Sequence, residues 1–575
     1  MLLSLVLALL PLVPVQDGAP PLDRGAIEAA VDGSLHWLRG RQDLESGSYG
    51  GLTETLAALD AFTGSHRAYR MDDGPFVRKA VAFVLEHQAA DGSIREEGAS
   101  AERVQGWTSD AARILARLPR LEARAKRAAQ FVGGRPDSSP VEEDAERASL
   151  IERAGATLEG RGRDGSWDGS VLETARRVVA LNRIARALGA LPAADEPGGP
   201  RTAAPPTATA PGPLDPKEVR ALAREASERG AAFLLDAQFS PGKWGFSGFA
   251  DPGITAMVVG GLLARSGDRS PEEQAAIEAA LDWLASLQHE DGSIHAGQLA
   301  NYVTSAAVMA LARAGRERDE PVIERAMAFL TALQADEGEG YTPSDRFYGG
   351  VGYGGDERPD LSNLQMALEA LHAGGVESGS PVYTKALKFL ERCQNRSESN
   401  DIELTATDGT TIVSGNDGGA GYAPGDSKAG YIELSDGRRV ARSYGSMTYA
   451  LLKGYLFAGL PKDDPRVEAA WKWITSHYTL DVNPGFESSS DPNAPYQGLF
   501  YYYTTMARAL ALYGEDTVHD AAGNPHPWRL ELASRLAALQ RQDGTWRNQA
   551  APRWYEGNPV LATAYALQTL GIALP

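Results

Sequence analysis

One local pattern recurs along the 575-residue chain and limits what it can fold into. Its last copy is the clearest. Leu532, Leu536 and Leu539 recur at i, i+4 and i+7 and make one apolar stripe on a helix. Gln540 ends that helix, Asp543-Gly544-Thr545 is a turn signal, and Trp546 follows. Pro559, tolerated in a first helical turn, opens a second helix whose stripe is Val560, Ala564, Leu567 and Leu570.

The same turn recurs after Gln42, Gln88, Gln238, Gln288, Gln334 and Gln394. In these copies an aromatic stands five residues before the glutamine: Trp37, Phe83, Phe233, Trp283, Phe329 and Phe389. One further copy is degenerate, with Tyr478 at the glutamine position, and residues 157–169 keep only Asp-Gly-Ser-Trp. From residue 216 onwards six units stand mostly about 50 residues apart, a period that means an array of supersecondary units. Each unit pairs a polar-faced helix with one that is nearly all apolar. The apolar ones are 254–264, 302–312, 361–371, 446–456, 499–513 and 560–570. A helix apolar on every side is buried, so six outer and six inner helices can close into a double-walled ring.

The turn QRQDGTW (540–546) resembles the glutamine–tryptophan repeat of squalene–hopene cyclases and protein prenyltransferases. The resemblance implies an all-α fold: an α6/α6 toroid over 217–575, preceded over 24–190 by a smaller, incomplete α/α toroid of three to four hairpins. It implies that the glutamine caps a helix end with the tryptophan stacked beside it. Gln42, Gln88, Gln238, Trp244, Gln288, Gln334, Gln540 and Trp546 are then structural.

Composition narrows the partners. A net charge of −20 and only one cysteine argue against nucleic acid and against an internal disulfide. Cys393, in an outer helix, is expected to be a packing residue. Residues 2–15 are apolar but too short to span a bilayer, so 1–16 reads as a signal peptide and the protein as exported, periplasmic or secreted. Residues 191–216 are a Pro/Ala-rich linker. The longest connection, 395–443, contains strand-like runs around Asp408-Gly409 and Asp436-Gly437 and is expected to form a lid over one mouth of the ring.

Tyr, Gly, Asp and Asn crowd beside the starts of the inner helices. The candidate pocket drawn from these segments is Tyr348, Asp356, Asp360, Asn363, Tyr444, Tyr449, Tyr502, Trp554, Glu556 and Asn558. Of Tyr501, Tyr502 and Tyr503, at least one is expected to face a pocket, since three consecutive helical positions point different ways. The resemblance also supplies a test. Squalene–hopene cyclases carry Asp-x-Asp-Asp at an inner-helix start, where one acid protonates an alkene. Here DPGITA (251–256) and DLSNLQ (360–365) keep only the leading Asp251 or Asp360, and Asp72-Asp73 and Asp463-Asp464 read as turn or loop. Cyclisation by protonation is therefore not supported, and no catalytic residue is assigned. The prenyltransferase zinc set of Asp, Cys and His has no counterpart, His519 and His526 being too weakly placed. No metal or cofactor is expected. Two functions remain open. One is acting on or binding a polyisoprenoid. The other is a secreted toroid that binds or cleaves a polysaccharide or peptide, for which Tyr348, Tyr444 and Arg442 are the nameable groups, or that serves as an interaction scaffold. The expected partner is a small-molecule or polymer ligand, with peripheral membrane or envelope association left open.

Overall fold

A computed structural model describes residues 24–133, 147–162, 165–190, 215–246, 249–297, 299–354, 358–406 and 408–574. The expected signal peptide, nearly all of the linker, and Asp356 lie outside the described residues.

The second array alternates outer and inner helices along the chain. The outer helices are α8 (Pro216–Asp236), α10 (Pro271–Ser286), α12 (Glu320–Ala332), α14 (Pro381–Cys393), α16 (Pro465–Ser476) and α18 (Trp528–Leu539). The inner ones are α9 (Pro252–Ala264), α11 (Ala300–Ala314), α13 (Leu361–Ala373), α15 (Gly445–Phe457), α17 (Leu499–Tyr513) and α19 (Pro559–Ala573). Each inner helix packs on the next, and α19 packs back on α9, so the inner wall is closed. Closure explains why these helices lack a polar face: α9, α15 and α19 are walled in by neighbours and by the outer layer.

The repeated glutamine turns out to be a staple between neighbouring units. In six of seven copies the side-chain amide donates to the carbonyl of its own turn glycine and to a carbonyl of the next outer helix, early in it in five copies and midway along α8 for Gln540. Gln288 Nε2 reaches Gly292 O at 3.1 Å and Val322 O at 2.8 Å. Gln334 spans Gly349 and Val382, and Gln394 spans Gly418 and Arg466. Gln540 spans Gly544 and Ala226, which ties the last unit to α8 and closes the outer wall. Gln42 and Gln88 do the same in the first array. Gln238 is the exception and bonds only to its own turn and to the end of the helix before it. The cap expected of the glutamine is made by Gln238, whose Nε2 donates to Leu235 O in the last turn of α8 at 2.9 Å, and the tryptophan adds to it. The indole N–H of Trp244 donates to Leu234 O at 2.6 Å, and that of Trp546 to Leu536 O at 2.8 Å, each in the last turn of the preceding outer helix. In the degenerate unit Tyr478 does the glutamine's work, donating to Glu531 Oε2 in the first turn of α18 at 2.7 Å. The turn glycine is required because the two outer helices approach there: a Cβ on Gly544 (φ +80°) would sit 2.9 Å from Arg229 O.

The first array contains α1 (Arg24–Arg39), α2 (Leu52–Gly64), α3 (Pro75–Glu86), α4 (Ala101–Leu115), α5 (Glu122–Phe131), α6 (Arg147–Leu158) and α7 (Val171–Ala190). It has its own apolar core. Helix α2 packs against both α4 and α7, and α7 against α1 and α6. The array docks on the segment between α12 and α13. Arg358 Nε and Nη2 pair with Asp73 at 2.8 Å each, Arg39 Nη2 meets Glu339 at 2.6 Å, and Arg78 pairs with Asp345. Tyr341 is buried in this contact and donates to Asp73 O. The Asp72-Asp73 turn thus receives the second array's arginines.

The 395–443 insertion forms the two expected hairpins. The short β1 (Gly245–Phe246) and β2 (Phe249–Ala250) pair before α9; in the insertion β3 (Leu404–Thr405) pairs with β4 (Thr411–Val413), and β5 (Tyr431–Glu433) with β6 (Arg439–Ala441). A parallel β4–β6 pairing joins the hairpins into one four-stranded sheet. Cys393 is buried, as expected of a packing residue.

Candidate functional site

The lumen of the second array can be read helix by helix. On α13, Ser362, Gln365, Glu369 and His372 follow at spacings of three and four and share one face. The same spacing aligns Tyr302, Ala306, Met309 and Arg313 on α11, Tyr501, Arg508 and Leu512 on α17, and Tyr565, Gln568 and Ile572 on α19. A cavity of ≈ 440 Å³ is lined by the C-terminal part of these faces, from Ala306, Glu369, Arg508 and Gln568 onwards, together with Met257 and Gly260 of α9 and Lys453 and Phe457 of α15. It occupies the half of the ring that holds the C-terminal ends of the inner helices. Its volume is in the range of small-molecule sites.

An ionic cluster crosses this chamber. Glu369 pairs with Lys453 on the neighbouring α15, and with Arg508 Nη1 of α17 at 2.9 Å. Arg508 also donates to Gln568 Oε1, whose Nε2 donates to Met257 O at 2.8 Å. Four inner helices and the backbone of a fifth are thereby tied across the lumen. Burial would raise the Glu369 carboxyl, but the charges of Arg508 and Lys453 outweigh it and hold the group at about 2. Lys453 is only 2% exposed, and burial lowers its affinity for a proton despite Glu369. Arg313, at the rim, has no acidic partner among the described residues; burial and the charges of Arg508 and Arg269 lower it. Cations suit this end of the ring, because all six inner helices direct their C-terminal carbonyls towards it. The walls between the charges are Ala256, Met257, Ala306 and Met309.

The opposite half is sealed by helix caps. Asp360 precedes α13; its Oδ1 accepts Asn363 N and its Oδ2 accepts Asn363 Nδ2, both at 2.8 Å. Asn301 Nδ2 then donates to Asn363 Oδ1 at 3.0 Å. Burial pushes the Asp360 carboxyl up to about 6, against hydrogen bonds from Asn363 and Tyr422. The insertion supplies Tyr422, whose backbone carbonyl accepts Leu361 N and whose hydroxyl meets Tyr353 OH at 3.2 Å, so this part of the insertion is packed against the start of α13. Glu556 caps α17 from outside, accepting Tyr501 N and Asn548 Nδ2 at 2.8 Å each; burial pushes it up to about 7. Asn558 caps α19 through Val560 N at 2.8 Å. Asp251 caps α9 through Ile254 N at 2.8 Å. The two leading aspartates left from the acid motif, Asp251 and Asp360, are both N-caps.

The structure therefore divides the residues singled out in the sequence. Asp360, Asn363, Glu556 and Asn558 gather at the N-terminal ends of the inner helices as caps. Tyr444 packs edge-on against Phe486, and Tyr449 lies at a tilt against Tyr502. Tyr502 points into the wall and donates to Thr479 O at 2.8 Å, and Tyr503 donates to Leu480 O. Tyr501 is the one of the three that faces the lumen. Tyr348 lies on the outside of the ring, bonded to Glu337 at 2.7 Å beside Lys385. Trp554 is 42% exposed on the rim. Tyr348, Tyr444 and Arg442 share no hydrogen bond among the described residues. The chamber residues Glu369, Lys453, Arg508, Gln568 and Arg313 were not among the candidates. Their signal was present: each inner helix except α9 carries one charged or amide side chain in an otherwise apolar run, in its C-terminal half.

Residues 252–411 match the family model of the squalene–hopene cyclase C-terminal domain. A comparison with curated proteins finds no match. Among solved structures, the chain is similar to the type II terpene cyclase MstE from Scytonema, with 17% identity and a TM-score of 0.39 over 62% of this chain and 99% of that one. A variant of that cyclase, solved in complex with geranylgeranyl dihydroxybenzoate as substrate, gives 16% identity and a TM-score of 0.37 over the same shares. The ent-copalyl diphosphate synthase from Streptomyces platensis gives 14% identity and a TM-score of 0.24, over 85% of this chain and 100% of that one. The family likeness thus covers residues 252–411, from the start of α9 to the first strands of the insertion, and is a likeness to the squalene–hopene cyclase C-terminal domain.

Proposed function

We propose that the second array is a ligand-binding ring that holds an isoprenoid-class small molecule in its lumen without starting a protonation-driven cyclisation. The observation that carries this reading is the Glu369–Lys453–Arg508 cluster inside the chamber. A polyene folding into a carbocation needs a largely charge-free cavity and a strong acid. This lumen offers the reverse: its carboxylate is held ionised by two cations, and the aspartates at the helix starts are used as caps. The family-model match over 252–411 and the Ala/Met walls support an isoprenoid as the apolar part of the ligand. Export, expected from the apolar run at 2–15, belongs to the same reading.

The test is a thermal-shift titration of the full chain with geranylgeraniol and with squalene, followed by product analysis. A ligand that binds only the folded ring raises Tm by mass action. The expected result is a concentration-dependent rise in Tm with geranylgeraniol and unchanged ligand on recovery. A cyclised product, or no shift with either compound, would contradict it. A second reading rests on the insertion, whose sheet borders a cavity of ≈ 600 Å³ lined by polar side chains including Ser397, Asn400, Asn416 and Arg438. A polysaccharide or peptide bound there would protect the insertion from protease without shifting with substitutions in the lumen.

A further inference from the structure

The charges on the chamber wall do not balance. Arg313, Lys453 and Arg508 line it against one carboxylate, Glu369. Both Glu369 oxygens are already used, one by Lys453 and one by Arg508. Arg313 makes no hydrogen bond or ion pair among the described residues, and the charges that act on it, those of Arg508 and Arg269, have its own sign. Other arginines at this end of the ring are spent on carbonyls. Arg269 Nη2 donates to Leu263 O at 3.0 Å at the end of α9, and Arg529 donates to Ile572 O at the end of α19. Arg313 caps nothing, although it stands in the last turn of α11. Arg508 reaches across the lumen to Met309 Sδ at 3.8 Å, one turn before Arg313, so two guanidinium groups share one stretch of wall. Beside them the Lys453 ammonium has three N–H groups and, among the described residues, Glu369 as its one partner.

We propose that the open end of the chamber holds the carboxylate head of an amphiphilic acid, with Arg313 and Arg508 as its cationic partners and its hydrocarbon tail on the Ala/Met wall. This rests on the lumen reading given above and narrows the isoprenoid to an acidic one. A single negative charge suits the site. Two cations are in excess, and the carbonyl ends of the inner helices already offset part of that excess. A neutral head would leave the two guanidinium groups facing one another. A diphosphate would set two or more charges against Glu369. A cationic head would meet cations, the one carboxylate being shared between Lys453 and Arg508. From the rim the tail would run inward along Met309, Ala306 and Met257.

The experiment titrates the full chain with geranylgeranoic acid, geranylgeraniol and geranylgeranyl diphosphate by calorimetry, at about pH 8 where the acid is ionised. The acid is expected to bind about tenfold tighter than the alcohol, because a hydrogen-bonded charge pair adds to the same apolar contact. That advantage should shrink as salt is raised. Arg313→Gln should remove most of it. Arg438→Gln, which takes the same charge from an exposed position on the insertion, should keep it. Equal affinities for acid and alcohol, tighter binding of the diphosphate than of the acid, or a preference undiminished in Arg313→Gln overturns the carboxylate site but not the lumen reading. Loss of the preference in both variants also overturns it, since overall charge would then be the cause. Failure of all three compounds to bind overturns the lumen reading and the site with it.

Discussion

The two ends of the same lumen use the same kinds of residue for opposite purposes. At the N-terminal ends of the inner helices, Asp251, Asp360, Asn558 and Glu556 are spent on backbone N–H groups, and the insertion packs against the starts of α13 and α15. At the C-terminal ends, Glu369, Lys453 and Arg508 bond to one another across an open chamber, and Arg313 stands at the rim. Helix polarity sets this division. Free N–H groups attract carboxylates and amides to one end, and free carbonyls make cations tolerable at the other. The lesson is that acidic and amide residues at helix starts say little about chemistry, whereas a charge in the last half of a buried helix has no capping role and needs another explanation.

The largest effect should come from breaking the chamber's ion cluster. Glu369→Ala leaves Lys453 buried without a counter-charge and is expected to cost about 3–5 kcal/mol in urea unfolding. Glu369→Leu combined with Lys453→Met should recover much of this, because an apolar pair replaces a buried ionic one. If the double variant is as weak as the single, the cluster is not an electrostatic unit.

Next in size is the opposed pH response of the two ends. Glu369 is depressed to about 2, so its contribution is present above the ordinary glutamate value of about 4.5 and is lost as pH falls towards 2. Glu556 is raised to about 7, so its contribution is present below about 4.5 and is lost as pH rises through 7, by roughly 3 kcal/mol at most. Glu556→Gln should flatten the neutral limb of the stability profile and leave the acid limb in place. Loss of both limbs, or of neither, would show that the two carboxyls do not act at separate ends.

The staples should rank below this. Gln394→Ala removes amide bonds to Gly418 and Arg466 and an acceptor for Tyr455, and is expected to cost about 2–3 kcal/mol. Gln238→Ala breaks only bonds to its turn and to the end of the helix before it, and should cost about 1 kcal/mol or less. Equal losses would mean that bridging to the next helix adds nothing. The smallest effect is expected at the exposed rim. Trp554→Gly should change stability by less than about 1 kcal/mol, since the lost side chain is partly offset by a backbone already at φ 57°.

Much of the fold was legible because closure leaves a mark in composition. Inner helices walled in on all sides lose their polar face, and the Gln–Gly–Trp turn recurs because each copy makes the same joint. The glutamine's partners were not legible. They are backbone carbonyls some thirty to seventy residues away, or in α8 for Gln540, and carbonyls carry no sequence identity. The sequence candidates gather at the helix starts, away from the charged chamber, for a related reason. Asp360, Asn363 and Asn558 are the residue types that cap helices as well as those that do chemistry, and near a helix start the first use is the commoner. Tyr501, Tyr502 and Tyr503 could be separated only once the tilt of α17 put the first of them, in line with Arg508, on the lumen side. Glu369, Lys453 and Arg508 lay in plain view as lone charges within apolar runs, but nothing in one dimension said that they would meet.

The central claim, a chamber open at the C-terminal end and sealed at the other, is tested most directly by thiol labelling. With Cys393→Ser as background, Ala306→Cys places a thiol in the chamber wall and Ser446→Cys places one beneath the caps at the start of α15. A small thiol reagent is predicted to modify the cysteine at 306 under native conditions, more slowly with geranylgeraniol present, and to leave the one at 446 untouched until the protein unfolds. Labelling at 446 with protection at 306, or protection of both to the point of unfolding, would contradict the account.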